Sequence, residues 1–159
     1  AYHYHHQTPY LTELAQAFPS VEIVLDHLGT PLGVGPYAGQ QEAIYKAWAR
    51  DLVTLAKCPN VTVKLGGLAM PWNGFGFEHN AQPPTSDEFI ARQARYYHFA
   101  IETFGPDRCM FESNFPVDRC ALSYAVLWNG FKKIAARYSE AEKDSMFRGT
   151  ATRVYQLAP

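Results

Sequence analysis

The sequence predicts an α/β fold in which parallel strands alternate with amphipathic helices. Three short runs rich in β-branched residues begin near residues 21, 60 and 108, and each is followed by a longer segment with apolar residues at helical spacing. Glycine and proline cluster between the periodic segments, which is typical of connecting loops. Alternation of this kind favours a parallel sheet covered by helices, because parallel strands need a crossover connection.

The amino-terminal half contains two predicted helices and one strand. A first helix is predicted over 11–18, because apolar residues recur there at helical spacing and Pro19 follows. Residues 21–26 are rich in β-branched side chains and predict a strand. Glycine and proline fill the loop over 30–39, and the apolar spacing beyond it predicts a second helix over 44–55.

The carboxyl-terminal half repeats this order. Residues 60–65 and 108–112 predict two more strands, and an aromatic loop over 68–84 follows the first of them. Helices are predicted over 85–104, 127–138 and 139–157. Two of them begin with a capping box, a Thr or Ser three residues before a Glu: Thr85 with Glu88 and Ser139 with Glu142.

Composition and charge exclude several classes of function. The net charge of −1 argues against a nucleic-acid partner or an anionic membrane surface, since both need an excess of Lys and Arg. The sequence contains no run of 18 consecutive apolar residues, so it predicts no membrane-spanning helix. The three cysteines are few and odd in number, which does not fit a disulfide framework. We therefore expect a reducing, cytoplasmic location.

Polar residues and glycines follow every predicted strand. Asp26 and His27 come after the first strand, Lys64 ends the second, and Glu112 and Asn114 lie at the end of the third. Because the carboxyl ends of parallel strands line the site in such folds, these residues predict one shared site. At any single strand end, the same residue types also fit an ordinary turn.

Individual residues at these ends allow more than one interpretation. His27 can ligate a metal or transfer a proton, and it also fits a structural histidine bonded to a loop. Glu112 and Asn114, two residues apart, can share a face as a carboxylate acid or base beside a neutral amide. Asn114 could instead begin an Asx turn before Phe115 and Pro116.

The amino terminus carries three histidines close together. In an extended chain His3 and His5 can face one ligand, whereas the neighbours His5 and His6 point to opposite sides. A tag remnant is the alternative, although Tyr4 interrupts the histidines and Gln7 follows them.

Four segments resemble a known family of enzymes. The segments 24–31 (VLDHLGTP) and 108–118 (RCMFESNFPVD) are similar to motifs of the amidohydrolase-related TIM-barrel hydrolases, often called the amidohydrolase 2 family. The strand at 63–67 and the closing segment at 149–155 match in the same order and spacing. This family includes dicarboxylate and sugar lactonases and several metal-dependent decarboxylases.

The resemblance implies the C-terminal half of a (β/α)8 TIM barrel. Residues 1–159 would be a single partial domain with strands five to eight, since a full barrel takes about 250 residues. His27 would end strand six and Asn114 strand eight. The family's opening strand carries a His-x-His metal motif that has no counterpart here, and metal-dependent members have Asp at the position of Asn114.

The implied activity is a lactonase-like hydrolase acting on a lactone or ester of a small acidic or sugar-derived substrate. His27 would polarise the carbonyl or shuttle a proton, and Glu112 or Asp118 would activate water in place of the carboxylate that Asn114 lacks. An acidic substrate would be bound by His5, Gln7, Lys64 or Arg119.

Metal dependence separates the two candidate activities that the family resemblance allows. We expect no tightly bound metal, because zinc sites usually need three or four protein ligands and His27 is the one ligand that the resemblance supplies. A zinc- or manganese-dependent hydrolase or decarboxylase is the alternative within the family.

A half-barrel implies a partner. It has two open sheet edges, and we expect it to expose the barrel-interior side chains of Val61, Val63 and Met110. The chain would therefore pair with a second copy or with an amino-terminal half. A noncatalytic half-barrel, acting only as an assembly piece, is the alternative outside enzymology.

Overall fold

A computed structural model describes residues 1–157 and contains a sheet of three parallel strands. The strands are β1 (Ile23–Leu25), β2 (Val61–Leu65) and β3 (Cys109–Phe111), in the order β1-β2-β3. Leu25 pairs with Val63, and Lys64 pairs with Met110. The predicted parallel order is confirmed, with strands a little shorter than the sequence indicated.

Helices connect and follow the strands as the periodicity predicts. They are α1 (Thr8–Ala17), α2 (Gln41–Leu55), α3 (Ser86–Phe104), α4 (Tyr124–Ala135), α5 (Glu140–Asp144) and α6 (Thr150–Tyr155). A π-helical turn, Ser145–Gly149, joins α5 to α6. Both capping boxes are confirmed: the hydroxyls of Thr85 and Ser139 accept hydrogen bonds from the third backbone N–H of their helices. Within the described residues no helix combines the length and the apolarity needed to cross a membrane.

The core lies between the sheet and the helices. Trp48 of α2 is fully buried there, and its indole N–H donates to Leu28 O at 2.6 Å. Because Leu28 lies three residues beyond the end of β1, this bond ties the loop after the strand to the core. The same core contains Ile101 of α3 and Phe131 of α4.

The expected exposure of barrel-interior valines is wrong. Val61 and Val63 are fully buried in the helix-facing core, and Met110 is 2% exposed. Side chains alternate along a strand, so the opposite face of β2 carries Thr62 and Lys64 instead. Those two side chains contact carboxylates, so this face of the sheet is polar at both positions.

The loops after β1 and β2 pack tightly against each other. Gly33 N–H donates to Trp72 O at 2.9 Å, and the Asn73 amide donates to Pro31 O at 2.7 Å. A Cβ on Gly33 would lie 2.2 Å from Asn73 O and 2.9 Å from Gly74 Cα. Only glycine at position 33 allows this backbone contact, which holds Trp72 beside the end of β1.

We predict that Gly33→Ala lowers the free energy of unfolding by about 1–3 kcal/mol, because a methyl group there must push two backbones apart. Urea unfolding followed by circular dichroism measures the change. Gly149→Ala is the matched control, since its Cβ would meet nothing nearer than 3.6 Å in a helical backbone. Equal stability of the two variants would contradict the proposed loop contact.

Candidate functional site

The ends of the three strands bring together His27, Glu112, Lys64 and Asp26. His27 Nδ1 contacts Glu112 Oε1, which also accepts the backbone N–H of His27 at 3.2 Å. Lys64 Nζ lies 3.5 Å from Glu112 Oε2 and 3.1 Å from Asp26 Oδ1. One connected polar cluster therefore joins the carboxyl ends of all three strands.

The backbone after β1 places the His27 ring. His27, Leu28 and Thr30 have φ values of 52°, 55° and 43°, in the left-handed region that non-glycine residues rarely adopt. Such residues cost about 1–3 kcal/mol each and persist where the surroundings fix them. Here the Thr30 N–H donates to His27 O at 2.9 Å, and the bond from Trp48 holds Leu28.

Two adjacent glycines make room for the cluster. A Cβ on Gly67 would lie 2.5 Å from His27 Cγ, and one on Gly66 would lie 2.2 Å from Glu112 O. Gly67 also has a φ of +70°. The pair after β2 thus allows the histidine from one neighbouring strand and the glutamate from the other to meet across it.

The Glu112 carboxylate sets the tautomer of His27. A carboxylate accepts hydrogen bonds, so the tautomer of a neutral His27 imidazole that fits this contact carries its proton on Nδ1 and has its lone pair on Nε2. Burial alone would lower the pKa of Lys64, but Asp26 and Glu112 raise it above its usual value. Lys64 therefore stays charged beside both carboxylates.

A second polar pair lies after β3. Asn114 Nδ2 donates to Asp118 Oδ1 at 2.8 Å, and Asp118 is fully buried. Burial raises the pKa of Asp118 to about 7, against the opposing hydrogen bonds from Asn114 and the backbone of Ala69. Within residues 1–157 its Oδ2 has no hydrogen-bond partner.

Asn114 does not form the Asx turn that was one of its two interpretations. Its φ is 51° and its side chain points to Asp118, while Ser113 Oγ accepts the N–H of Phe115 at 3.2 Å. Glu112 turns to His27 instead. The two side chains therefore serve different partners and do not act as one pair.

The predicted substrate-binding residues other than Lys64 have local partners or lie elsewhere. His5 is buried and its Nδ1 accepts the N–H of Leu32 at 3.2 Å, while Gln7 Oε1 accepts the N–H of Tyr4 at 2.9 Å. Arg119 is exposed and lines a separate cavity of about 690 Å³ with Phe77, Phe115 and Tyr124 among its walls.

The amino-terminal histidines are part of the fold. His3 Nε2 lies 3.0 Å from Thr8 Oγ1, and burial lowers the pKa of His3 to about 4. Burial also lowers the pKa of His5. These two imidazoles are therefore packed as neutral structural groups, as a tag remnant would not be.

Two further residues contact the His27–Glu112–Lys64 cluster, and only Asp26 was indicated by the sequence. Tyr2 packs its ring edge-on to the His27 imidazole, with centroids 5.6 Å apart. Asp26 precedes His27 and pairs with Lys64, as its place at a strand end indicated. Nothing in the spacing of Tyr2 indicates its contact.

The described part of the chain does not by itself assemble a metal site. No group of three or more His, Cys, Asp or Glu side chains among residues 1–157 is arranged to hold a metal ion. A zinc site takes three or four ligands, so the donor set present is too small. The expectation that this chain binds no tight metal stays a prediction.

We predict a pH-dependent stability difference between Asp118→Asn and the unsubstituted protein. The pKa of Asp118 is about 7 in the fold, so from about pH 4 to 7 the folded chain keeps a proton that the unfolded chain releases. Stability from this group is complete below about pH 4 and is lost as the pH rises through 7. The amide in Asp118→Asn does not titrate in this range, so that variant does not lose stability in this way as the pH rises.

The expected difference grows in favour of Asp118→Asn by about 2–4 kcal/mol between pH 4 and 8. Urea unfolding at five pH values across this range measures it. A difference that stays constant with pH would show that the carboxyl group titrates alike in the folded and unfolded chain.

Comparison with known proteins places the chain among relatives about twice its length. An uncharacterized protein y4mH of Sinorhizobium fredii is 37% identical over 97% of this chain and 45% of its own length. An L-fucono-1,5-lactonase of Burkholderia multivorans is 31% identical over 85% of this chain and 43% of its own length. The chain thus spans about half the length of the curated relatives it matches.

Solved structures give the same picture. The crystal structure of a B. multivorans amidohydrolase with bound zinc aligns with a TM-score of 0.82 and 27% identity, over 98% of this chain and 51% of that one. The fold is therefore α/β and corresponds to about half of a TIM barrel. Since the profile of the amidohydrolase 2 family, described as Amidohydrolase, matches residues 3–157, the chain belongs to that family.

Proposed function

We propose that this chain is the C-terminal half of a hydrolase that opens a lactone or ester of a small acidic or sugar-derived substrate. The observation that carries the proposal is the His27–Glu112 pair, a base with its orienting carboxylate at the carboxyl end of a parallel sheet. The similarity to an L-fucono-1,5-lactonase supports a lactone as substrate.

His27 is the proposed base. Its Nε2 takes a proton from water as the water oxygen attacks the carbonyl carbon, and Glu112 stabilises the imidazolium that forms. The tetrahedral intermediate then collapses with cleavage of the C–O bond of the lactone. The imidazolium returns its proton to the departing alkoxide, which leaves a hydroxy acid and neutral His27.

Glu112 and Asp118, which the sequence suggested as activators of water, are not placed for that role. Both oxygens of Glu112 face cations or donors, Oε1 towards His27 and Oε2 towards Lys64, so neither is free to take a proton from water. Asp118 is fully buried, so bulk water does not reach it. Glu112 therefore orients His27, and Lys64 Nζ lies 3.5 Å from its other oxygen.

A metal-dependent hydrolase or decarboxylase of the same family is the second candidate. The observation that favours it is the zinc in the crystal of the B. multivorans amidohydrolase. His27 Nε2 would be the contribution of this chain, and the remaining ligands would come from outside residues 1–157. Loss of hydrolysis on chelation, restored by zinc or manganese, would favour this candidate.

Substitution of the pair tests the main proposal. We expect His27→Gln and Glu112→Gln each to lower the rate of lactone hydrolysis by about 100-fold or more, because one removes the base and the other its orienting acceptor. Acid release from a panel of sugar and dicarboxylic lactones is followed with a pH indicator, for the chain alone and co-expressed with an amino-terminal half of a relative.

His79→Gln is the matched control for that assay, since the His79 side chain is 82% exposed and lies 3.4 Å from Glu78, away from the cluster around His27. Its rate should equal that of the unsubstituted protein. If His27→Gln hydrolyses lactone as fast as His79→Gln, His27 is not the base. If no combination of chains hydrolyses any lactone, the noncatalytic assembly piece becomes the better interpretation.

Assembly with a second copy or with an amino-terminal half is proposed as well. The outer edge of β1 already pairs: Ala1 O accepts the N–H of Asp26 at 3.0 Å, and Ala1 N donates to Val24 O. This is the pattern of a parallel strand opposite Leu25. Beyond β3, the described residues place no strand, so its backbone edge is open to pairing.

Sedimentation velocity at micromolar concentration tests this assembly. We expect a species of at least twice the chain mass of 17.9 kDa, or a stable complex when an amino-terminal half is co-expressed. Backbone hydrogen bonds along the open edge of β3 would stabilise the assembly. A stable monomer with a cooperative melt, unchanged by the amino-terminal half, would contradict the proposal.

A further inference from the structure

Lys64 has a third neighbour that the proposed reaction does not use. Its Nζ lies 5.9 Å from the centre of the Tyr155 ring, within the distance of about 6 Å at which an aromatic face attracts a cation. Tyr155 belongs to α6, whereas the two carboxylates that contact Lys64 follow β1 and β3. The carboxyl-terminal helix therefore reaches the cluster around His27.

Two hydrogen bonds fix the rotation of α6 at the amino end of β3. Thr150 Oγ1 and Arg153 Nη2 both donate to the carbonyl oxygen of Asp107, at 3.1 Å and 2.9 Å. Residues three apart lie on the same side of a helix, so both bonds hold the same side of α6 against the sheet. The direction in which α6 presents Tyr155 is thereby set.

Tyr155 lies at the face of the sheet opposite the helix-facing core. Met110 pairs with Lys64 in the sheet, so the two side chains point to the same face. Met110 is 2% exposed and the Lys64 side chain 25%, so this face is largely covered at both positions. Tyr155 is 47% exposed, which fits a ring on the solvent side of the ammonium.

A ring in this place limits where the Lys64 ammonium can go. Nζ is 3.1 Å from Asp26 Oδ1 and 3.5 Å from Glu112 Oε2, so the shorter contact is not the one to the partner of His27. The four-carbon stem of a lysine is flexible, and its ammonium is strongly hydrated. An aromatic face on the solvent side opposes that movement without adding a charge that would compete with Glu112.

We propose that Tyr155 is a positioning residue of the candidate site, whose ring keeps the Lys64 ammonium in contact with Glu112. Tyr155 touches neither the attacking water nor the lactone in this role, and it acts through Lys64. Its consequence for hydrolysis rests on the proposed function, whereas the placement of the ammonium does not.

NMR of the lysine side chains tests this placement without turnover. The protein is made with ¹³C-labelled lysine, and the ε-methylene signal of Lys64 is assigned by its loss in Lys64→Met. Protons over an aromatic face are shielded, so we expect this signal upfield of that of Lys132, an exposed lysine of α4. Tyr155→Phe retains the ring and should leave the signal in place, whereas Tyr155→Leu should move it towards the signal of Lys132.

Trace acetylation at about pH 9 measures how strongly the ring holds the ammonium. Mass spectrometry compares the modification of Lys64 with that of Lys132 in the same sample. We expect Lys64 to react about 2- to 5-fold faster in Tyr155→Leu, the range for a cation–π contact at a partly exposed site, and at an unchanged rate in Tyr155→Phe. Leucine is a strong helix former, so α6 is retained in the variant.

Tyr10→Leu is the matched control for both measurements, since Tyr10 is 70% exposed on the separate helix α1. It should behave like the unsubstituted protein. An active preparation should show a lower kcat with little change in KM in Tyr155→Leu, and Tyr155→Phe should restore it.

The positioning role is overturned if the Lys64 signal and its acetylation rate in Tyr155→Leu match those of Tyr10→Leu. It is also overturned if Tyr155→Phe behaves like Tyr155→Leu, because the hydroxyl group would then be the part that matters. Should Tyr155→Leu release Lys64 while no preparation hydrolyses any lactone, the proposed function fails and the placement of Lys64 by Tyr155 stands.

Discussion

The contact between His27 and Glu112 is the constraint on which the rest of the site depends. It joins the end of β1 to the end of β3 across the end of β2, so three strands must agree in register for it to form. The crossing is possible because Gly66 and Gly67 have no side chains to fill the gap. The proposed role of His27 as a base depends on this contact, because it fixes the direction of the imidazole ring.

Keeping polar groups inside a small α/β unit costs stability, and the fold offsets it with paired partners. Lys64 lies between Asp26 and Glu112, and Asn114 donates to the buried Asp118. The left-handed residues after β1 add backbone strain, which the core bond from Trp48 helps to hold. The loop after β1 is thus strained, and its conformation is held by contacts with the core. Strained backbone of this kind is typical of functional sites.

The sequence predicts the strands and helices well because each depends on local periodicity and caps. His27, Lys64 and Glu112 were also predicted to share one edge, since parallel strands place their carboxyl ends together. The direction of individual side chains was not predictable: Asn114 turns to Asp118, and Gln7 bonds to its own turn. The expected exposure of Val61 and Val63 failed because a two-residue period does not say which face of a strand meets the helices.

Asn114 explains how the buried Asp118 is tolerated. Its amide donates to Asp118 Oδ1 at 2.8 Å, a contact that a carboxylate at the same position could make only if one of the two groups were protonated. Burial already raises the pKa of Asp118 to about 7, so a second negative charge at that distance would favour the protonated form further. The amide at position 114 and the carboxyl group at position 118 therefore depend on each other. Because Asn114 is bound to Asp118, Glu112 is the carboxylate that contacts His27 Nδ1.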